Sequence, residues 1–257
     1  FAGRFNIPLA TADWQPAVGD PAIDVIDVCT PSATHFMLAT AGLEAGKHVL
    51  CEKPVAYDYR ETRRLAALAR AKRLKTKLGF TFRYSPGVQY AKSLIDEGFT
   101  GRPLIFNGYE QNSQWLNPDN PMDKRIHKVK PQGEAPWGVD LSREGIAVSS
   151  LEGYGAPTID IGLECVGDDL KQVVGILSNM VPFRRRTNLD TERERINIDD
   201  ADMFMGETTR GTLFSMQSSY VTVGNYPGIE ARIFGSKGAI KVRLVEEFGV
   251  ISAYVAQ

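Results

Sequence analysis

Lys53 stands between Glu52 and Pro54, directly after the apolar run Lys47 to Cys51. An amine at the end of a buried strand can stabilise or relay the proton of a hydroxyl group, because burial disfavours the charged form of a lysine. Pro54 stiffens the turn that aims it, and Glu52 can accept hydrogen bonds from backbone or ligand and temper the charge. Thr30-Pro31 ends an earlier apolar run, Asp24 to Cys29, and His35 lies one turn into the helix that follows. For His35, helix packing, capping and a ligand-side role are all open. Arg83 reads equally as a ligand contact and as half of a salt bridge, whereas His48, in the middle of a strand, reads as structural.

These residues need a scaffold that gathers strand ends. Asp24 to Cys29 and Lys47 to Cys51 are strands, and between them Ser32 can cap a helix from Ala33 through Leu43 that stops at Gly46. Asp58, with Glu61 three residues on, makes a capping-box start for a helix through Leu65, Leu68 and Ala69, and Lys77 to Phe82 is the next strand. This βαβαβ order implies a parallel sheet whose ligands sit at the carboxyl ends of its strands, where Thr30-Pro31 and Glu52-Lys53-Pro54 fall.

The helix Pro86 to Glu97, closed by Gly98, leads into a different pattern. Longer strands follow at Leu104 to Glu110, Leu170 to Leu177, Asp202 to Thr208, Thr212 to Tyr220, Ile229 to Phe234 and Ala239 to Leu244. The short turns Arg210-Gly211 and Ser236-Lys237-Gly238 predict antiparallel neighbours in one open sheet. The interval Gln111 to Gly155 exceeds an ordinary connection and predicts a lid, substrate or subunit-contact segment. Tyr109, Trp115, Arg125, His127, Lys128 and Trp137 mix aromatic faces with planar hydrogen-bonding groups, which suits a sugar and equally a subunit contact. Arg184-Arg185-Arg186 reads as solvated loop charge.

At 257 residues, 43% hydrophobic and 24% charged, the chain has room for one or two ordinary domains. A formal net charge of −1 offers no basic footprint for nucleic acid, so a small-molecule partner is expected. Cys29, Cys51 and Cys165 have neither disulfide nor metal-ligand spacing; no metal is expected, and a reducing cytoplasm fits. No apolar run has membrane-spanning length.

The phrases Thr30-Pro31-Ser32-Ala33-Thr34-His35 and Ala45-Gly46-Lys47-His48-Val49-Leu50-Cys51-Glu52-Lys53-Pro54, then Gly79-Phe80 with Arg83 and Pro86, resemble the Gfo/Idh/MocA family. Its members include glucose-fructose oxidoreductases and inositol dehydrogenases. Asp199 to Met203 and Ile233 to Gly238 resemble its second-domain strands and glycine turn. The resemblance implies an α/β Rossmann-type domain over residues 1–101 that holds NAD or NADP. It further implies an α+β domain over 102–257 with a large, open, mainly antiparallel sheet that serves substrate binding and homo-oligomerisation. It gives Lys53 contact with the substrate hydroxyl; with the strand-end position, Thr30, Pro31, Glu52, Lys53 and Pro54 are then candidates to line the cofactor, and His35 and Arg83 are candidates beside the plainer roles given above. Trp115, His127 and Trp137 become candidates for the sugar.

Two family features are not found in these residues. The first strand and its glycine-rich turn are not replaced by Gly3 or Gly19, so a segment of about fifty residues is expected upstream of Phe1. The family's Asp and His pair, four residues apart, falls on Gly153 and Pro157 when anchored on Val166-Gly167-Asp168 without a gap, the preferred register. Anchoring on Asp160-Ile161-Gly162 instead places the pair on Asp160 and Glu164. Candidates for proton transfer are then Lys53, Tyr154 and Asp160, with packing for Tyr154 and a helix N-terminal charge for Asp160 as the plainer alternatives. The expected activity is hydride transfer between a sugar, polyol or cyclitol carbon and nicotinamide. A cofactor-dependent glycoside-cleaving enzyme and a non-catalytic sugar or dinucleotide sensor are the alternatives.

Overall fold

The computed structural model describes residues 2–56, 58–121, 149–185, 187–196, 198–224, 228–245 and 248–255, the last stretch by its backbone. The chain divides into two compact units, the first extending to Gly79 and the second beginning at Phe80.

In the first unit, β1 (Val25–Val28), β2 (His48–Cys51) and β3 (Thr76–Leu78) form a parallel sheet in that order. The connections are α2 (His35–Glu44) and α3 (Tyr59–Lys72), and a short α1 (Gln15–Gly19) precedes β1. The two connecting helices pack on each other, and α2 also packs on β1 and β2. Leu38, Ala39 and Leu43 of α2 and Leu65 and Ala69 of α3 meet Val28, Val49 and Cys51 of the sheet, so the 3.6-residue stripe and the period-2 strands share one core. The Asp58 side chain caps α3 by accepting the Arg60 amide, and Gly46 takes φ +81° after α2.

Two local expectations are corrected. Ser32 is buried inside a 3₁₀ turn, Ser32–Thr34, and does not cap α2. The third strand ends at Leu78: the Gly79 amide still donates to the Cys51 carbonyl, but Thr81–Tyr84 is a 3₁₀ turn rather than strand.

In the second unit, seven strands form one sheet in the order β12-β11-β10-β4-β9-β8-β5. They are β4 (Pro103–Gln111), β5 (Leu170–Ser178), β8 (Ala201–Thr208), β9 (Leu213–Ser219), β10 (Ile229–Gly235), β11 (Gly238–Val245) and β12 (Phe248–Val255). All neighbours are antiparallel except β4 and β9, and the last strand is absent from the sequence-based reading. A two-stranded ribbon, β6 (Phe183–Arg184) with β7 (Glu194–Arg195), lies in the β5 to β8 connection. The helices α4 (Pro86–Asp96) and α5 (Ala156–Val166) pack against β4, β10, β11 and β12. The helix α4, grouped by sequence with the first domain, buries Val88 and Ala91 in the core of the second unit.

Phe106 and Phe214 stack at 4.4 Å between ring centroids beneath α5. A side chain at Gly162 would put its Cβ 2.5 Å from Phe214 and 2.6 Å from Phe106, so glycine is what lets α5 approach the sheet this closely. The opposite face of the sheet exposes Val174, Ile176, Met203, Met205 and Phe234. Among the described residues no helix is long and apolar enough to cross a membrane.

Candidate active site

The carboxyl ends of β1 and β2 carry the first group of candidates. The Glu52 amide donates to the Val28 carbonyl (2.9 Å), which sets the two strand ends side by side. The Glu52 carboxylate turns back and accepts from the Lys53 amide at 3.1 Å. A Cβ at Gly79, just after β3, would lie 2.8 Å from that carboxyl carbon, so a larger residue there would push the Glu52 carboxylate aside. Lys53 and Pro54 are half-buried, and the peptide between them is cis.

On the neighbouring turn the Thr30 and Thr34 hydroxyls are 2.5 Å apart, and Thr34 Oγ1 donates to the Pro31 carbonyl at 2.7 Å. Thr30 is exposed and Pro31 half-buried. His35 is 2% exposed, and its ring nitrogens lie 2.7 Å from the carbonyl oxygens of Thr30 and Pro54. It therefore neither caps α2 nor points into solvent; it joins the two strand-end turns. His48 accepts the Lys75 amide at 3.0 Å, the structural role expected of it. The Cys51 thiol beside the turn is buried, and burial pushes it up to about 12, which keeps it protonated and inert.

The second unit carries the other candidates. Arg83 is the salt-bridge half of its two readings: Nε donates to Asp160 Oδ2 at 2.7 Å, Nη2 to the other oxygen of the same carboxylate, and Nη1 to Glu164 Oε2 at 3.0 Å. The hydrogen bond with Asp160 raises the Arg83 guanidinium further above its ordinary value, so the fork is permanently charged. Asp160 and Glu164 are one turn apart on α5 and bind one cation, Arg83. Asp160 is not at a helix N-terminus, because a π-helical turn, Leu151–Gly155, precedes α5. Gly153 lies in that π-turn and Pro157 is buried at the start of α5. Neither carries a side chain able to move a proton.

The Tyr154 hydroxyl donates to Gln114 Oε1 at 2.7 Å, its ring packs 4.6 Å from that of Tyr220, and burial raises its phenol above the ordinary range. Trp115 is 7% exposed and holds Arg184 rather than an open sugar platform: the Arg184 guanidinium lies 5.8 Å from its ring centroid and donates to its carbonyl. Arg125, His127, Lys128 and Trp137 lie outside the described residues.

The sequence reading missed three arrangements. Arg184, read as solvated, is fully buried against Asp200 and the carbonyls of Trp115 and Asn117. Asp202 faces inward beside Ser218, whose hydroxyl donates to it and in turn meets Ser150 at 2.9 Å; burial pushes the Asp202 carboxyl up to about 6. The third is the His35 bridge. Strand alternation hints at the inward position of Asp202, but nothing local signals the other two.

A parallel α/β sheet with polar turns at its strand ends is the architecture in which ligands sit at the strands' carboxyl ends, and here it is followed by a mainly antiparallel sheet backed by helices. Residues 1–80 match the oxidoreductase family described by its NAD-binding Rossmann fold. The chain is 30% identical over 250 residues to levoglucosan dehydrogenase of Pseudarthrobacter phenanthrenivorans, covering 93% of this chain and 60% of that protein. Inositol 2-dehydrogenase 1 of Saccharopolyspora erythraea is 36% identical over 108 residues, 41% of this chain and 31% of that one. A solved levoglucosan dehydrogenase in complex with NADH and L-sorbose superposes with a TM-score of 0.80 at 26% identity, covering 99% of this chain and 66% of that one. The chain is similar over most of its length to a member of the Gfo/Idh/MocA oxidoreductase family, and its first 80 residues match that family's NAD-binding part. It spans about 60% of the length of the levoglucosan dehydrogenase it matches.

Proposed function

We propose that the protein is an NAD(P)-dependent oxidoreductase that transfers a hydride between nicotinamide and a hydroxyl-bearing carbon of a sugar, polyol or cyclitol. The observation that carries this reading is the strand-end platform, in which Lys53 projects from a turn whose amide is held by Glu52 beside the open Thr30-Pro31 turn. These residues fit a dinucleotide: they combine a hydroxyl, a carboxylate and main-chain groups at the carboxyl ends of parallel strands. Thr30, Pro31, Glu52 and Pro54 would hold the cofactor's nicotinamide half. Bound nicotinamide supplies a hydride acceptor at its C4 carbon.

Lys53 takes up or stabilises the proton of the reacting hydroxyl, the role its position suits. Asp160, held by Arg83, and Tyr154, held by Gln114, are the second unit's candidates for orienting sugar hydroxyls. The names of the related levoglucosan and inositol dehydrogenases support this substrate class. Unpaired thiols at Cys29, Cys51 and Cys165 support a cytoplasmic setting. Mixing the intact protein with NADH or NADPH is expected to raise its melting temperature and change nicotinamide fluorescence. Silence of both signals with both cofactors would sink the reading.

The reading includes a homo-oligomer formed through the second-unit sheet. Val174, Ile176, Met203 and Met205 form an exposed apolar cluster on adjacent strands, each more than half exposed, and such clusters mark association surfaces. Sedimentation is expected to show a dimer or higher species that Met203→Glu with Ile176→Glu converts to monomer; a wild-type protein that sediments only as monomer defeats this part.

A further inference from the structure

We infer that His35 is a positioning residue for Lys53, acting through the two main-chain carbonyls that its ring spans; this rests on the role proposed for Lys53 above. Thr30 and Pro54 are separated by 24 residues and belong to the turns after different strands, β1 and β2. His35 meets the carbonyl oxygens of both at 2.7 Å while 2% exposed. Carbonyl oxygens only accept, so the ring holds both turns at once by donating from both nitrogens, which is the imidazolium form; a neutral ring has one N–H and holds one turn only. A bond made this far from water also costs much more to lose than one at the surface.

What distinguishes this from ordinary core packing is where the bonds go. The α2 helix does not use His35 as a cap, and the ring makes its polar contacts with the turns themselves. Lys53 has its own amide held by the Glu52 carboxylate, and the carbonyl of the next residue, Pro54, is held by His35. The main chain is thus fixed on both sides of the Lys53 side chain. The same ring ties that turn to Thr30, whose hydroxyl is already locked to Thr34. A general acid or base held this way is aimed before substrate arrives, and small displacements of such a group are costly to rate.

The test compares His35→Phe, which keeps a ring but no donor, with His35→Gln, which keeps an amide donor, each alone and combined with Lys53→Ala in the intact protein. Single-turnover hydride transfer is read alongside cofactor affinity. His35→Phe is expected to slow transfer by about 10- to 100-fold, the scale of a misaligned reacting group, with cofactor affinity kept and His35→Gln in between. Neither substitution should slow transfer further once Lys53 is alanine. An equal fractional loss in both backgrounds, or a lowered melting temperature with wild-type transfer rate, would overturn the inference. If His35→Phe does not fold, His35→Gln decides alone by the same comparison. Undiminished transfer in Lys53→Ala would overturn the role of Lys53 itself, an outcome read without reference to His35.

Discussion

Lys53→Ala in the intact protein is expected to lower turnover by about 10²- to 10⁴-fold, the usual contribution of a positioned acid or base, while cofactor binding and melting temperature stay near wild type. The separation follows from the site. Lys53 is half-buried at a strand end and contributes no core side chain, so its removal leaves the Val28, Val49 and Cys51 core intact. The backbone that would support the cofactor is held by the Glu52 amide on the Val28 carbonyl and by the Glu52 carboxylate, which alanine at position 53 does not disturb. Lys53→Arg should not restore turnover, because guanidinium does not give up its proton in a protein. The measurement is steady-state reduction of NAD or NADP across a panel of sugars and cyclitols. A Lys53→Ala protein with wild-type turnover would remove this residue from the chemistry.

Arg184→Ala is expected to destabilise the second unit by about 3–5 kcal/mol, the cost of leaving a buried charge without its partner. The guanidinium is wholly buried, donates to Asn117 O at 3.0 Å and to Trp115 O, and lies 3.4 Å from Asp200 Oδ1. Alanine leaves two carbonyls without this donor and the Asp200 carboxylate without this cation. Asp200 is also held by the Val181 amide at 2.9 Å, so the β5 to β8 connection loosens with it. Pairing Arg184→Met with Asp200→Asn should recover much of the loss, since the uncompensated charge goes with it. Urea unfolding followed by tryptophan fluorescence measures this; a change below about 1 kcal/mol, the range of an exposed ion pair, would show that Arg184 is solvated after all.

The sequence determined what is local. Alternating apolar residues placed β4, β5, β8, β9, β10 and β11 within a residue or two of their ends, because strand period and turn glycines are properties of a few neighbouring residues. The same holds for Glu52-Lys53-Pro54 at the end of β2 and for the Asp58 cap of α3. Pairing between distant residues was not legible. Arg184 looked like one of three solvated arginines, because charge runs usually are, and only the fold brings Asp200, Trp115 and Asn117 around it. Arg83 read as a ligand contact or as half of a salt bridge, and only the fold brings its guanidinium onto Asp160 and Glu164, 77 and 81 positions away. His35 could have packed, capped or faced a ligand, and the adjacency of two strand ends decided that it bridges them. Composition and period fix which elements form and which face each turns inward. Which buried polar groups satisfy one another depends on what tertiary packing brings within about 3 Å, the range in which a hydrogen bond is made.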